Sequence, residues 1–270
     1  MRIVYITQVW PEPRSSAAGL RAMNVIRALS SHDLTIACVA TNEEARQALV
    51  TAGYTTHSLR MNDSSADEWF RAKGPDLVIF ERFMIEEQFG ARVALACPKA
   101  ARILDTIDLH FVRRARQAGL DHWNTEDCSR ELASIYRCDH TWVVSDFEQK
   151  LLCRELGIPD ELVSVSRLSA AQAPSRGRSF EERKNFVMIG NFRHGPNHDS
   201  VFWLHDEIWP LIRAALPQAE VHLYGAYAPR EISALHDPAS GFIMKGWAED
   251  AVTTLARYRV SLAPLRYGAG

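Results

Sequence analysis

The residues of this chain that could do chemistry fall into two sets. The first is Asp105, Asp108 and His110, which lie where the strand expected over Arg102–Asp105 ends. Carboxylates and an imidazole set two or three residues apart, where a strand gives way to a loop, can orient a hydroxyl or take its proton. The same residues also serve as turn caps and solvated polar groups. Arg113, Arg114 and Arg116 come next. They could draw an anionic acceptor or lipid headgroups, or form a solvated charged face. The second set is built on glycine. Gly190, Asn191 and Arg193 lie in GNFRHGPN, Gly225 stands alone, Gly246 precedes Trp247, and Tyr267, Gly268 and Gly270 form the tail. Gly19 closes an earlier loop, WPEPRSSAAG. Glycine lets a backbone approach a phosphate. Guanidinium matches phosphate geometry, and an indole face can stack on a base. Structural roles compete at each position: room at a turn for the glycines, a helix cap for Asn197-His198, and an interfacial indole for Trp247.

The elements that must hold these groups alternate. Short runs rich in apolar residues at 3–6, 34–39, 76–80, 102–105 and 140–144 read as strands, and a helix is expected over 43–52. From Gly19 the expected apolar face carries Leu20, Met23, Ile26, Arg27 and Leu29. A long helical region is expected over 113–136. Ser145 is the expected N-cap of a further helix, with Glu148 as its capping-box partner. Residues 169–184 are small, polar and charged, which marks a linker. Four more strands follow, at 186–189, 221–224, 242–245 and 260–263, with a strongly amphipathic helix over 199–216. Strand–helix alternation implies right-handed crossovers and parallel sheets. The glycines then sit at the carboxyl ends of the strands, where open parallel sheets bind ligands. The division expected is an N-terminal domain over 1–168 and a second over 185–270.

Bulk properties exclude several classes. The formal net charge of -2 marks no general nucleic-acid binder. Five scattered cysteines show no metal-ligand spacing, so no metal site is expected. They suit a reducing compartment. No stretch reads as a signal peptide or a membrane span. A cytoplasmic protein is expected, with contact at the inner face of a membrane left open. GxGxxG and GxxxxGK[ST] are both absent, which argues against a dinucleotide-dependent oxidoreductase and an NTPase.

FVMIGNFRHGPNHDSVFWLHDEIWPLIRAALPQAEVHLYGA, followed in order by GWAEDAVTTLARYRVSLAPLRYGAG, resembles the donor domain of retaining family-4 glycosyltransferases of the GT-B fold. RILDTIDLHFVRRARQAG and CDHTWVVSDFEQKLL resemble the acceptor domain of the same enzymes. The resemblance implies an α/β chain of two Rossmann-like domains facing a cleft. It implies a nucleotide-sugar donor held by the C-terminal domain, and a glycan, lipid-linked or other hydroxyl acceptor held by the N-terminal one. It also implies transfer with retention, without metal or cofactor. On that basis Asp108 and His110 are the catalytic candidates. Gly19, Gly190, Asn191, Arg193, Gly225, Gly246, Trp247, Tyr267, Gly268 and Gly270 are the donor-binding candidates.

The sequence departs from the family pattern in three places. Relatives carry a His-Asp pair where this chain has Ile107-Asp108, with His110 displaced. They carry Gly-Arg-Leu and a later lysine where it has Gly190-Asn191-Phe192 and no lysine before Asp199. They follow the tail with a lysine and a glutamate. The expectation is therefore a donor domain truncated at Gly270 and completed by a further segment or subunit. A catalytically incomplete binding or interaction module is the competing reading.

Overall fold

The computed structural model describes residues 1–121, 125–168 and 178–269. Its contacts divide into two compact units. One holds 1–13, 18–169 and the last three residues; the other holds Arg14–Ala17 and Ala170–Tyr267. Most of the expected linker, and Gly270, lie outside the described residues.

The first unit is a seven-stranded sheet in which every pairing is parallel. Its strands are β1 (Arg2–Thr7), β2 (Asp33–Cys38), β3 (Thr55–Ser58), β4 (Leu77–Glu81), β5 (Ala101–Asp105), β6 (His140–Val143) and β7 (Val163–Val165), in the order β3-β2-β1-β4-β5-β6-β7. Strand order reverses between β1 and β4. β1 reads RIVYIT and is buried from Ile3 onward, because helices cover both faces. Val4 and Ile6 pack on one side of the sheet with Val78 and Phe80. Ile3 and Tyr5 pack on the other with Ile36 and Ile79.

Helices α1 (Ala17–Ala28), α2 (Glu43–Thr51), α3 (Ser65–Lys73), α4 (Phe83–Ala96), α5 (His110–Ala118), α6 (Glu126–Arg137) and α7 (Asp146–Lys150) connect the strands. Asn42 and Thr125 cap α2 and α6 through side-chain oxygens that accept from backbone N–H groups. The helical region expected over 113–136 is two helices instead. Gly119 takes φ 64° and ends α5 in a left-handed cap. The face of α1 also differs from expectation: Arg21 is buried, whereas Arg27 is exposed. β3, α3, α4 and β7 were not anticipated. β3 reads TTHS, with no apolar run to announce it.

The second unit is a four-stranded parallel sheet among the described residues. It comprises β8 (Lys184–Asn191), β9 (Val221–Ala226), β10 (Phe242–Gly246) and β11 (Tyr258–Ser261), in the order β10-β9-β8-β11. Here the reversal falls between β8 and β11. The crossover from β8 to β9 begins with α8 (Gly195–Trp203), runs through a π turn at Leu204–Ile208 and ends in α9 (Trp209–Ala215). This helix starts four residues before the expected position. Pro196 sits in its first turn, where a missing N–H costs nothing. Asn197 is therefore inside the helix, and the expected Asn197-His198 cap is replaced by His194 at the N-cap position. Short helices α10 (Arg230–Ser233) and α11 (Ala251–Leu255) complete the unit. Phe202 and Trp209 pack with the core formed by Met188, Val201 and Leu223. No helix among the described residues is long and apolar enough to cross a membrane.

Candidate functional site

In the first unit the expected residues gather where β5 ends and α5 begins. Asp105 is fully buried, and its carboxylate is held by Arg21, whose Nε donates to Oδ1 at 2.8 Å. Arg21 Nη1 donates to the Ser166 carbonyl. Tyr5 also lies on Asp105, 3.4 Å from hydroxyl to Oδ2. Burial, together with Asp105 and Glu81, pushes the Tyr5 phenol well above its usual range. Asp105 is thus a structural anchor rather than a loose turn cap. The sequence hid its partner, because Arg21 falls in a helix whose periodicity looks ordinary without it.

Asp108 and His110 are brought together. Asp108 Oδ2 accepts from Arg113 Nε at 2.7 Å. Its Oδ1 lies 3.4 Å from His110 Nε2, without the angles of a hydrogen bond. His110 is 7% exposed and sets its ring edge-on against Phe83. Burial pushes its imidazole down to about 3; Asp108 opposes that shift, and Arg113, Arg82 and Arg114 reinforce it. The ring is neutral throughout the physiological range. It can share a hydrogen bond with a hydroxyl, but it is too weak a base to hold a proton at neutral pH.

Two buried glutamates fix this turn, and neither was among the expected site residues. Glu148 Oε1 accepts from the Leu109 N–H and its Oε2 from the Val144 N–H, both at 2.9 Å. Glu131 Oε2 accepts from the Phe111 N–H at 3.1 Å. The first turn of α5 is thus capped from α6 and α7 rather than by its own neighbours. Burial pushes both carboxyls up, and Asp108 adds to each shift. Only half of the expected capping box forms: Ser145 Oγ accepts from the Glu148 N–H, while the Glu148 carboxylate goes to Leu109 and Val144.

The arginines after His110 are not a free basic face. Arg113 is bound to Asp108, and Arg114 pairs with Asp127 at 2.7 Å. Arg116 lies over the Phe147 ring and donates to the Gly268 carbonyl at 2.7 Å. Arg114 and Arg116 are exposed, as a solvated charged face requires, and Arg113 is half-buried; each guanidinium already has a local partner, which counts against a free anion-attracting cluster.

In the second unit the glycines stand at the carboxyl ends of the strands. Gly190 precedes the end of β8, and a Cβ there would lie 3.1 Å from the Asn197 side chain. Asn191 organises the loop. Its Oδ1 accepts from the Arg193 N–H at 2.9 Å, its carbonyl accepts from Asn197 Nδ2 at 3.1 Å, and its Nδ2 donates to the Ser15 carbonyl. Arg193 lays its guanidinium 3.8 Å over the Tyr227 ring. Gly225 makes room for Phe192, because a Cβ would fall 1.9 Å from that ring. Gly246 takes φ 78°. Trp247 is half exposed, and its Nε1 donates to the Arg14 carbonyl.

The tail after β11 returns to α8. Arg266 makes a two-pronged pair with Asp199, and the Tyr267 hydroxyl lies beside Gly195. Gly268 meets Arg116 as described, and Gly270 lies outside the described residues. Gly19 is buried inside α1, where a Cβ would lie 2.4 Å from the Glu12 carbonyl oxygen. The loop after β8 and the tail after β11 therefore flank the reversal point of the second sheet, the place where open parallel sheets take nucleotides. No group of three or more metal-ligating side chains occurs among the described residues.

Comparison with known proteins gives a second line of findings. Residues 183–270 match the family described as Glycosyl transferases group 1. Comparison with curated proteins gives no significant match. Among solved structures, the chain is similar to sucrose-phosphate synthase from Thermosynechococcus elongatus, at 12% identity over 100% of this chain and 77% of that one, with a TM-score of 0.67. It is similar to an S. aureus TarM mutant in complex with fondaparinux, alpha-GlcNAc-glycerol and UDP, at 7% identity over 97% and 80%, with a TM-score of 0.69. It is also similar to UDP-GlcNAc 2-epimerase from Neisseria meningitidis bound to UDP-GlcNAc, at 12% identity over 97% and 77%, with a TM-score of 0.59. At such identities the likeness is one of fold: two Rossmann-like units of the GT-B class. All but the last three residues of the family match over 183–270 fall in the second unit.

Proposed function

We propose that this chain transfers a sugar from a nucleotide-sugar to an acceptor hydroxyl, with retention and without a metal ion. The observation that carries the reading is the coincidence of two features in the second unit. Its residues match the group 1 family, and its glycine loop and tail converge on the reversal point of the sheet. In this reading Gly190, Asn191 and the start of α8 present backbone N–H groups to the diphosphate, and Arg193 supplies positive charge as it departs. Gly225, Gly246 and Trp247 line the nucleotide end, with the Trp247 face available for base stacking. The diphosphate leaves with the electron pair of the broken glycosidic bond. The acceptor oxygen forms the new bond, and its proton passes to an oxygen of the departing diphosphate. Asp108 and neutral His110 orient that hydroxyl through hydrogen bonds. Tyr267 and Gly268 extend the donor loops through the tail, whereas Gly19 is held inside α1 and Gly270 lies outside the described residues. The acceptor is a glycan, a lipid-linked glycan or another hydroxyl compound, and the setting is the cytoplasm or the inner membrane face.

Incubating the chain with UDP-, GDP- and ADP-sugars, and following thermal shift and sugar transfer, tests this reading. A raised melting temperature with one donor class, lowered in Arg193→Ala, is the expected result. No shift and no transfer with any donor would favour a binding module that lacks catalysis. One feature supports that second reading: Asp108 is already neutralised by Arg113 beside it.

A further inference from the structure

The reversal point of the first sheet carries a cluster that the catalytic candidates do not use. Gln8 follows β1, Glu81 ends β4, and Arg82 begins the turn into α4. Arg82 has φ 70° and ψ 153°, a region occupied almost only by glycine. On the next loop over, β-branched Ile107 has φ 65°. Two bulky residues in strained backbone, on adjacent loops at the carboxyl edge of one sheet, indicate a geometry kept for something other than stability.

The side chains there are polar, largely buried and only partly engaged. Arg82 Nη1 donates to Gln8 Oε1 at 3.2 Å and to Glu81 Oε1 at 2.8 Å. The Gln8 N–H donates to Glu81 Oε2 at 3.0 Å, and the Arg82 N–H donates to the Asp105 carbonyl at 2.8 Å. Arg82 Nε and Nη2 make no hydrogen bond to any described residue. Glu81 is 2% exposed, and burial pushes its carboxyl up against the pull of Arg82 and the Gln8 N–H. Both Glu81 oxygens are taken, by Arg82 and by the Gln8 N–H, so the carboxylate offsets the guanidinium and the free N–H groups of Arg82 are what the cluster offers a ligand. Val9, next in the chain, is 56% exposed and adds an apolar surface.

We propose that Gln8, Glu81 and Arg82 form a binding site for an uncharged, polyhydroxylated ring, the sugar of a neutral glycan. The Arg82 fork suits a pair of vicinal hydroxyl oxygens, which accept from it while the neighbouring carboxylate offsets its charge. An exposed valine suits the C–H face of such a ring. A phosphate or sulfate would meet Glu81 unfavourably. That this sugar is the acceptor rests on the glycosyl-transfer reading; its binding here does not.

The test measures binding of the full chain to neutral oligosaccharides and to sulfated and carboxylated counterparts on one array. Wild type is compared with Arg82→Lys and with the double variant Glu81→Gln, Arg82→Gly. The nucleotide-sugar thermal shift is run in parallel. Wild type is expected to bind neutral members. Both variants are expected to lose that binding at least tenfold, with the double variant melting no lower than wild type because glycine relieves the backbone. Unchanged glycan binding in Arg82→Lys would overturn the proposal. Wild-type preference for the anionic set, or binding to no member, would overturn it too. Neutral-glycan binding lost in the variants, in a protein that answers to no nucleotide-sugar, would support this site while sinking the transfer reading.

Discussion

The two sheets follow one plan and furnish their carboxyl edges in opposite ways. Both are parallel, and both reverse strand order once. In the first unit the edge is set by buried ionic side chains: Arg21 on Asp105, and Glu148 and Glu131 on the start of α5. In the second it is set by missing side chains, with Gly225 admitting Phe192 and Gly190 admitting Asn197. The difference teaches that a site can be positioned by charge where the surroundings are dry, or by close backbone approach where a ligand must come near. The two strategies fail differently, and substitutions separate them.

The largest expected effect is in the first unit. Asp105→Ala leaves the Arg21 guanidinium buried without its carboxylate, at a cost of about 3–5 kcal/mol in a denaturant titration. A loss below about 1 kcal/mol would show that the pair is not what anchors this edge. In the second unit Gly225→Ala forces the Phe192 ring aside and costs about 1–3 kcal/mol. An unchanged melting temperature would break the contrast, since close approach would then be incidental.

Glu148→Gln tests the cap on α5. One of the two backbone donors then meets an amide N–H, and about 1–3 kcal/mol is lost. Faster hydrogen exchange at the Leu109 amide is the specific readout, and unchanged exchange there would refute the capping role.

The pH dependence carries the next signature. His110 titrates near 3 when folded, against about 6.5 when unfolded. The unfolded chain therefore binds the extra proton between those values, and this group lowers stability by about 1.4 kcal/mol for each pH unit of acidification within that window. His110→Gln should flatten the acid limb of a stability–pH curve, and an unchanged slope would contradict the burial. Glu131 and Glu148 slope the other way. Their raised folded-state values favour the protonated form, so their contribution is present below the unfolded value and is lost as pH rises through the folded one.

The smallest effect belongs to the second unit. Trp247→Ala removes a half-exposed indole and should change stability by under about 0.5 kcal/mol. If the ring stacks on a base, nucleotide-sugar binding weakens by about 1–3 kcal/mol instead. Equal donor binding in the variant would remove Trp247 from the site.

Particular residues show how much was legible beforehand. β1, β4, β8 and β9 announced themselves as apolar runs, and Gly190, Gly225 and Gly246 marked where three strands of the second sheet end. β3 did not, because TTHS at a sheet edge needs no apolar run. The partners of Asp105 and Asp108 differ in the same way. Arg113 lies five residues from Asp108 and follows from local spacing, whereas Arg21 lies 84 residues from Asp105. The basic run at 113–116 looked like one feature and proved to be three separate partnerships.

By itself, then, the sequence determined the alternation of strands and helices, the parallel sheets that follow from it, and the glycines at the carboxyl ends of the second sheet. Those signals are local, carried by periodicity and by residues that punctuate turns. Only the tertiary structure decided that Glu131 and Glu148 cap a helix they do not belong to, that His110 is dry and neutral, and that Arg82 is held in a glycine-like backbone. Burial and long-range partners set those properties, and neither leaves a pattern in neighbouring residues.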